Sequence, residues 1–145
     1  MTASLQVVCF DCDSINRLPV DRDPAKGRCG RCRRPLFPGA PVSLTQARFP
    51  KHLMQNDLPL VVDFWAEWCG PCHAMAPIFD KAAATLEPWA RFIKIDIDRE
   101  TTLSSHYGVR GIPTLFLFRG GKVAAQHPGL ADLSLLRSWV EPASA

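Results

Sequence analysis

Six cysteines fall in three pairs of one spacing: C-F-D-C at Cys9/Cys12, C-G-R-C at Cys29/Cys32 and C-G-P-C at Cys69/Cys72. A C-x-x-C pair supports two kinds of chemistry. Two thiolates on one tight turn can supply half of a tetrahedral metal site, or two neighbouring sulfurs can be joined and parted as a disulfide that carries two electrons. No basic leader or apolar run of signal-peptide length opens the sequence, and no stretch reaches the roughly 18 apolar residues of a membrane span. The chain is therefore expected in the cytoplasm, where thiols stay reduced and cysteines serve as metal ligands or redox groups rather than as a disulfide framework.

The first two pairs read as C-x2-C-x16-C-x2-C, within the spacing range of a zinc ribbon, so Cys9, Cys12, Cys29 and Cys32 are candidate ligands of one zinc ion. Gly30 is expected to supply the tight turn of the second knuckle. Four thiolates leave no open coordination position, which argues for a structural rather than a catalytic metal. The segment around them offers few large apolar side chains (Leu5, Val7, Val8, Phe10, Ile15, Leu18, Val20), so metal binding must supply much of its folding energy. Residues 1–45 carry seven basic and four acidic residues, the whole formal excess of +3. A tetrathiolate zinc centre adds about −2 locally, and a solvated basic face offsetting that centre is preferred over nucleic-acid binding.

The third pair sits where an apolar strand runs out into a helix. A helix N-terminus presents unpaired N–H groups and partial positive charge, which stabilise a thiolate at Cys69. Cys72, one helical turn on, is within bridging range, so Cys69 is expected to be the exposed nucleophile and Cys72 the buried resolving thiol. Gly70 and Pro71 suit the first helical turn. Metal binding here is the weaker reading, because only His73 and His106 are near and neither forms a second pair at ligand spacing.

These motifs need elements to hold them. P-L-F-P-G-A-P reads as a connector, dividing the chain into a ribbon over 1–37, a linker over 38–41 and a second domain over 42–145. In that domain Leu44–Ala47 is expected to pass from a short strand through a Thr45 N-cap into a helix with Phe49, Leu53 and Met54 on one side. L-P-L-V-V-D-F-W-A reads as a doubly buried strand, and Gly70 to Leu86 as a helix with Met75, Ile78, Phe79, Ala82 and Leu86 inward and a kink at Pro77. R-F-I-K-I-D-I is a strand, T-T-L-S-S-H-Y-G a short helix closed by Gly108, and T-L-F-L-F and K-V-A-A-Q-H a hairpin about R-G-G-K. A terminal helix from Asp132 to about Val140 aligns Leu133, Leu136, Trp139 and Val140. The pattern implies an α/β fold, a mixed sheet with helices on both sides.

V-D-F-W-A-E-W-C-G-P-C, K-I-D-I-D, Y-G-V-R-G-I-P-T-L and G-G-K-V together resemble the thioredoxin family over residues 42–141, and the ribbon in front resembles that of its two-domain, thioredoxin 2 type members. The resemblance implies the thioredoxin fold and protein-disulfide reductase activity. It implies that Asp63, an otherwise costly carboxylate in an apolar strand, is the buried proton acceptor for Cys72, with Lys94 close by. It makes Pro113 a cis-proline facing the disulfide, and Trp68, Gly70, Pro71, Gly111, Ile112 and Gly129 the surface for an extended substrate. His73 and Pro128 depart from the family's usual pattern. Disulfide-containing proteins and thioredoxin reductase are the implied partners of a monomeric chain. NADPH and flavin would act through the reductase, since no G-x-G-x-x-G is present. A zinc-linked redox sensor and a ribbon acting as a binding module are the alternative readings.

Overall fold

The computed structural model describes residues 4–141, and the outer ends of the expected domains, residues 1–3 and 142–145, lie outside the described residues. Two antiparallel strands, β1 (Ser4–Val8) and β2 (Ile15–Pro19), open the chain, and a 3-10 turn at Pro24–Lys26 follows. Strand β3 (Val42–Ser43) leads to α1 (Phe49–Gln55), β4 (Leu60–Trp65), α2 (Gly70–Leu86), β5 (Arg91–Asp96), α3 (Thr101–His106), β6 (Thr114–Arg119), β7 (Lys122–Pro128) and α4 (Leu133–Val140). The larger sheet has the order β3-β5-β4-β6-β7. Its first three strands are parallel, and the β6–β7 hairpin is added antiparallel.

Alternation along β4 and β5 divides the core in two. Val61 and Phe92 face α2 and α4, packing with Met75, Phe79, Leu86 and Leu136. Val62, Phe64, Ile93 and Ile95 face the other way, against Phe49 of α1 and Leu103 of α3. Each such side chain taken fully from water contributes about 1.5–3 kcal/mol. The turn after β6 places Gly120 and Gly121 at φ +58° and +78°, the paired left-handed conformation that a two-residue hairpin demands.

Several local expectations are corrected. The first strand of the larger sheet is Val42–Ser43, and Thr45 lies a turn ahead of α1, its Oγ1 accepting from the N–H of Arg48 at 3.3 Å. Met54 is exposed; the inward residues of α1 are Phe49 and, unexpectedly, His52. Ile15 and Val20 are exposed, whereas Leu36 and Phe37 of the supposed connector are buried with Val7, Cys9 and Cys29. Gly30 lies within the second knuckle turn but not in the left-handed conformation, which Asp13 and Arg33 take, each following the second cysteine of its pair.

Candidate active site and metal centre

The two ribbon knuckles repeat one backbone pattern. In the first, the N–H of Asp13 bonds the carbonyl of Cys9 and the N–H of Cys9 bonds the carbonyl of Ser14, both at 2.9 Å; Arg33, Cys29 and Arg34 repeat this at the same distances. Asp13 and Arg33, at φ +63° and +69°, reverse the chain. Each turn aims an N–H at the first sulfur: Asp11 N to Cys9 Sγ and Arg31 N to Cys29 Sγ, both at 3.4 Å. Asn16 of β2 ties the knuckles together, its Oδ1 accepting from Gly30 N at 2.9 Å and its Nδ2 donating to Cys29 Sγ at 3.6 Å.

All four sulfurs lie within 4.8 Å of one another, and the cross-knuckle pairs Cys9–Cys32 and Cys12–Cys29 are 3.6 Å apart. A tetrahedral site with metal–sulfur bonds of roughly 2.3 Å has sulfur–sulfur edges of about 3.8 Å, so the cluster has the size of a four-thiolate metal site. N–H donors on the sulfurs are the usual outer support of such a centre.

At the other pair, β4 ends at Trp65 and the chain turns through Glu67 and Trp68 into α2, with Cys69 as N-cap. Cys69 Sγ accepts the N–H of Cys72 at 3.2 Å, one of the unpaired donors of the first helical turn. Cys69 and Cys72 are joined as a disulfide with their Cα atoms 5.2 Å apart. Cys69 is 4% exposed and Cys72 2%, so in this oxidised form the expected contrast between an open and a buried sulfur is absent. Bonding to Cys72 and the approach of the Ile112 loop account for it; Cys69 Sγ lies 3.6 Å from the Ile112 carbonyl oxygen. Ala66, Trp65, Ile97 and Ile112 close the apolar surroundings.

The Ile112–Pro113 peptide is cis, as is Glu87–Pro88. Pro113 is buried beneath the loop, and its carbonyl accepts from Gly129 N at 2.8 Å, bringing the 111–113 and 128–129 segments side by side. Gly111 and Gly70 are exposed, with nothing within 4 Å of where a Cβ would stand, leaving a flat surface beside the disulfide. Trp68 is 70% exposed, and its indole N–H bonds Asp98 Oδ2 at 2.8 Å, a partner the sequence reading missed. His73 Nε2 lies 2.6 Å from the Glu67 carbonyl, tying the first turn of α2 back to the loop before it. Pro71, the first-turn proline, is exposed.

Asp63 lies on β4, has no exposed surface, and neither carboxylate oxygen has a hydrogen-bond partner. Desolvation pushes its pKa up to about 7, although Lys94 opposes the shift. Asp63 and Lys94 are paired across β4 and β5, yet the Lys94 ammonium sits 4.4 Å from the Trp65 ring centroid, a cation–π contact in place of an ion pair. Asp63 is thus neutral in acid and ionised above neutrality.

Family comparison places this constellation. The thioredoxin family model matches residues 40–142, and a second model, described as "Thioredoxin 2, N-terminal", matches residues 8–34. The chain belongs to the thioredoxin family. Thioredoxin C-3 of Corynebacterium nephridii is 36% identical over 93% of this chain and 92% of its own. The thioredoxin of Rhodospirillum rubrum is 44% identical over 68% of this chain and 94% of its own. A mutant thioredoxin of Halobacterium salinarum superposes with a TM-score of 0.64 at 35% identity, over 74% of this chain and 96% of that one. In this thioredoxin-family chain the matched segments each hold one kind of C-x-x-C chemistry, the metal-sized cluster within 8–34 and the disulfide within 40–142.

Proposed function

We propose that the chain is a cytoplasmic protein-disulfide reductase whose N-terminal ribbon holds one structural zinc ion. The observation that carries this reading is the placement of Cys69 Sγ as N-cap of α2, with the Cys72 N–H upon it and the Ile112–Pro113 loop beside it. In the reduced state the Cys69 thiolate, stabilised by that N-terminus, attacks one sulfur of a substrate disulfide. The substrate bond breaks, its other sulfur leaves as a thiolate, and a mixed disulfide joins Cys69 to the substrate. Cys72 passes its proton towards ionised Asp63 and attacks Cys69, expelling the second substrate thiolate. Two electrons have moved to the substrate, and the chain is left oxidised. Lys94 favours the ionised form of Asp63. Trp68, Gly70, Pro71, Gly111, Ile112 and Gly129 present the surface on which an extended substrate segment pairs with the backbone. Thioredoxin reductase, with electrons from NADPH, restores the dithiol.

Zinc in the ribbon would be held by Cys9, Cys12, Cys29 and Cys32, and when bound it supplies folding energy and no open position for chemistry. Insulin-disulfide reduction coupled to NADPH oxidation through thioredoxin reductase tests the activity. The wild type is expected to turn over and Cys72→Ser to accumulate a substrate-linked species; no turnover, or a Cys72→Ser variant that traps nothing, would remove the reading.

A further inference from the structure

Arg91, the first residue of β5, has no exposed surface and is the bulkiest fully buried side chain among the described residues. It takes part in none of the ion pairs among them. Its two hydrogen bonds and two aromatic contacts go to the ribbon and its exit, while Nε is buried without a hydrogen-bond partner. Nη1 donates to the carbonyl of Leu36, and Nη2 donates to the carbonyl of Val8 at 2.8 Å. Its plane lies over Phe10, 3.9 Å from the centroid, with Phe37 at 4.8 Å. The Val8 carbonyl belongs to the peptide that enters Cys9, and Leu36 lies on the segment that leaves the second knuckle. One side chain from the larger sheet therefore grips both ends of the four-cysteine cluster.

A buried cation without a carboxylate costs several kcal/mol unless another charge balances it. Burial pushes the Arg91 pKa down to about 10, and Glu87 and Cys9 oppose that shift by favouring the charged guanidinium. A tetrathiolate centre with a divalent ion carries about −2, and its first ligand, Cys9, favours the charged forms of both Arg91 and Arg48, the latter donating to the carbonyl of Phe10. We propose that Arg91 is the anchor and counter-charge of the metal centre, so that metal retention in the ribbon depends on Arg91 and stability of the redox domain depends on the metal. The two effects are one coupling free energy: if packing on the redox domain tightens metal binding by some factor, metal tightens the fold of that domain by the same factor.

All four tryptophans, Trp65, Trp68, Trp89 and Trp139, lie outside the ribbon, so their fluorescence reports the redox domain alone. The full chain, kept reduced, is melted with zinc bound and after removal of zinc by chelator. The tryptophan transition is expected to fall on stripping; an unchanged transition, or a wild-type chain that binds no zinc, overturns the proposal. Transfer of zinc to a chromogenic chelator is then timed in the wild type, Arg91→Met and Arg91→Lys. Arg91→Met should release zinc at least about tenfold faster, a coupling loss of about 1.4 kcal/mol, and a wild-type rate overturns the proposal. Arg91→Lys keeps the charge but cannot bridge both carbonyls or stack as a plane, and should fall between. With cobalt in place of zinc, the thiolate-to-metal absorption should move to longer wavelength in Arg91→Met and return in Arg91→Lys. A merely structural role would leave that band in place. Should Arg91→Met fail to fold, Arg91→Lys with wild-type zinc release and a wild-type melting shift on stripping overturns the proposal on its own.

Discussion

Cys9-x-x-Cys12 and Cys69-x-x-Cys72 share a spacing and little else. In the ribbon the first sulfur accepts an N–H from two residues on, and a left-handed residue after the second cysteine doubles the chain back, as Asp11 and Asp13 show. In the redox site the first sulfur accepts an N–H from three residues on, and the chain continues into the seventeen-residue helix α2. Doubling back points two sulfurs outward to meet a second pair 3.6 Å away; continuing as helix turns two sulfurs towards each other. The spacing permits either chemistry, and the backbone that follows decides between them.

The largest effect should come from exchanging the damage between the two kinds of pair. Cys69→Ser is expected to lower disulfide reduction by on the order of a thousandfold or more, since it removes the nucleophile, while zinc content stays at one per chain. Cys29→Ser should lose the zinc, for which binding in structural sites reaches about 10–16 kcal/mol. Zinc content and insulin reduction measured on both variants check this, and a Cys69→Ser chain that lost its zinc would break the division of labour.

The next effect separates the buried groups behind each pair. Asp63 keeps its proton in the folded chain up to about pH 7, whereas an ordinary Asp loses it near 3.8. As pH rises across that window the unfolded chain releases the proton and the folded chain does not, so stability falls and stays lost above it. Asp63→Asn cannot ionise and should be more stable than the wild type at pH 8, by at most about 4 kcal/mol. It should also reduce disulfides more slowly, with a flatter pH dependence between 6 and 9. Denaturant melts at pH 5 and pH 8 check the sign; equal stability gains at both pH values would sink it.

In the ribbon the corresponding support is Asn16, which accepts from Gly30 N and donates to Cys29 Sγ. Asn16→Ala should weaken zinc retention by roughly 10–100-fold and leave the pH profile of disulfide reduction where it was. Competition with a chelator reads the first, and a wild-type competition curve would show that Asn16 only fills space.

What was legible in the sequence divides along the same line. The strands, α2 and the disulfide site could be read because long apolar runs and an N-terminal Pro71 are local signals, and the sheet they imply is the sheet observed. The ribbon was legible only as four ligands. Its left-handed residues are Asp13 and Arg33 rather than Gly30, because the hydrogen bonds of each knuckle require reversal after the second cysteine. Leu36 and Phe37 looked like connector because two prolines flank them, yet they close the ribbon core. Arg91 and His52 could not be read at all: one is buried against residues 55 and 83 positions away, the other stacks on Phe10 across 42 positions, and no local pattern records such distances. Likewise Cys69 was expected to be open, since burial by Cys72 and the Ile112 loop is a property of the assembled site.

The smallest predicted effect contrasts the two knuckles with each other. Asp13 and Arg33 hold the same left-handed conformation, which costs a residue other than glycine roughly 1–2 kcal/mol. Arg33 is exposed and is used only through its backbone, its N–H by the Cys29 carbonyl and its carbonyl by Arg28 Nη1 at 3.2 Å, so Arg33→Gly should stabilise the chain by about 0.5–1 kcal/mol. Asp13 instead spends its carboxylate on Arg48 Nε and Nη2, at 3.0 and 2.7 Å, and on His52 Nε2 at 2.8 Å. The Arg48 guanidinium beside it holds its pKa down to about 2, so it is ionised wherever the protein works. Asp13→Gly relieves the same backbone strain but leaves Arg48 and buried His52 without their partner, a loss of about 1–3 kcal/mol that outweighs the relief. Equal shifts of the melting midpoint in the two glycine variants would mean that the Asp13 carboxylate does not hold the first knuckle to α1.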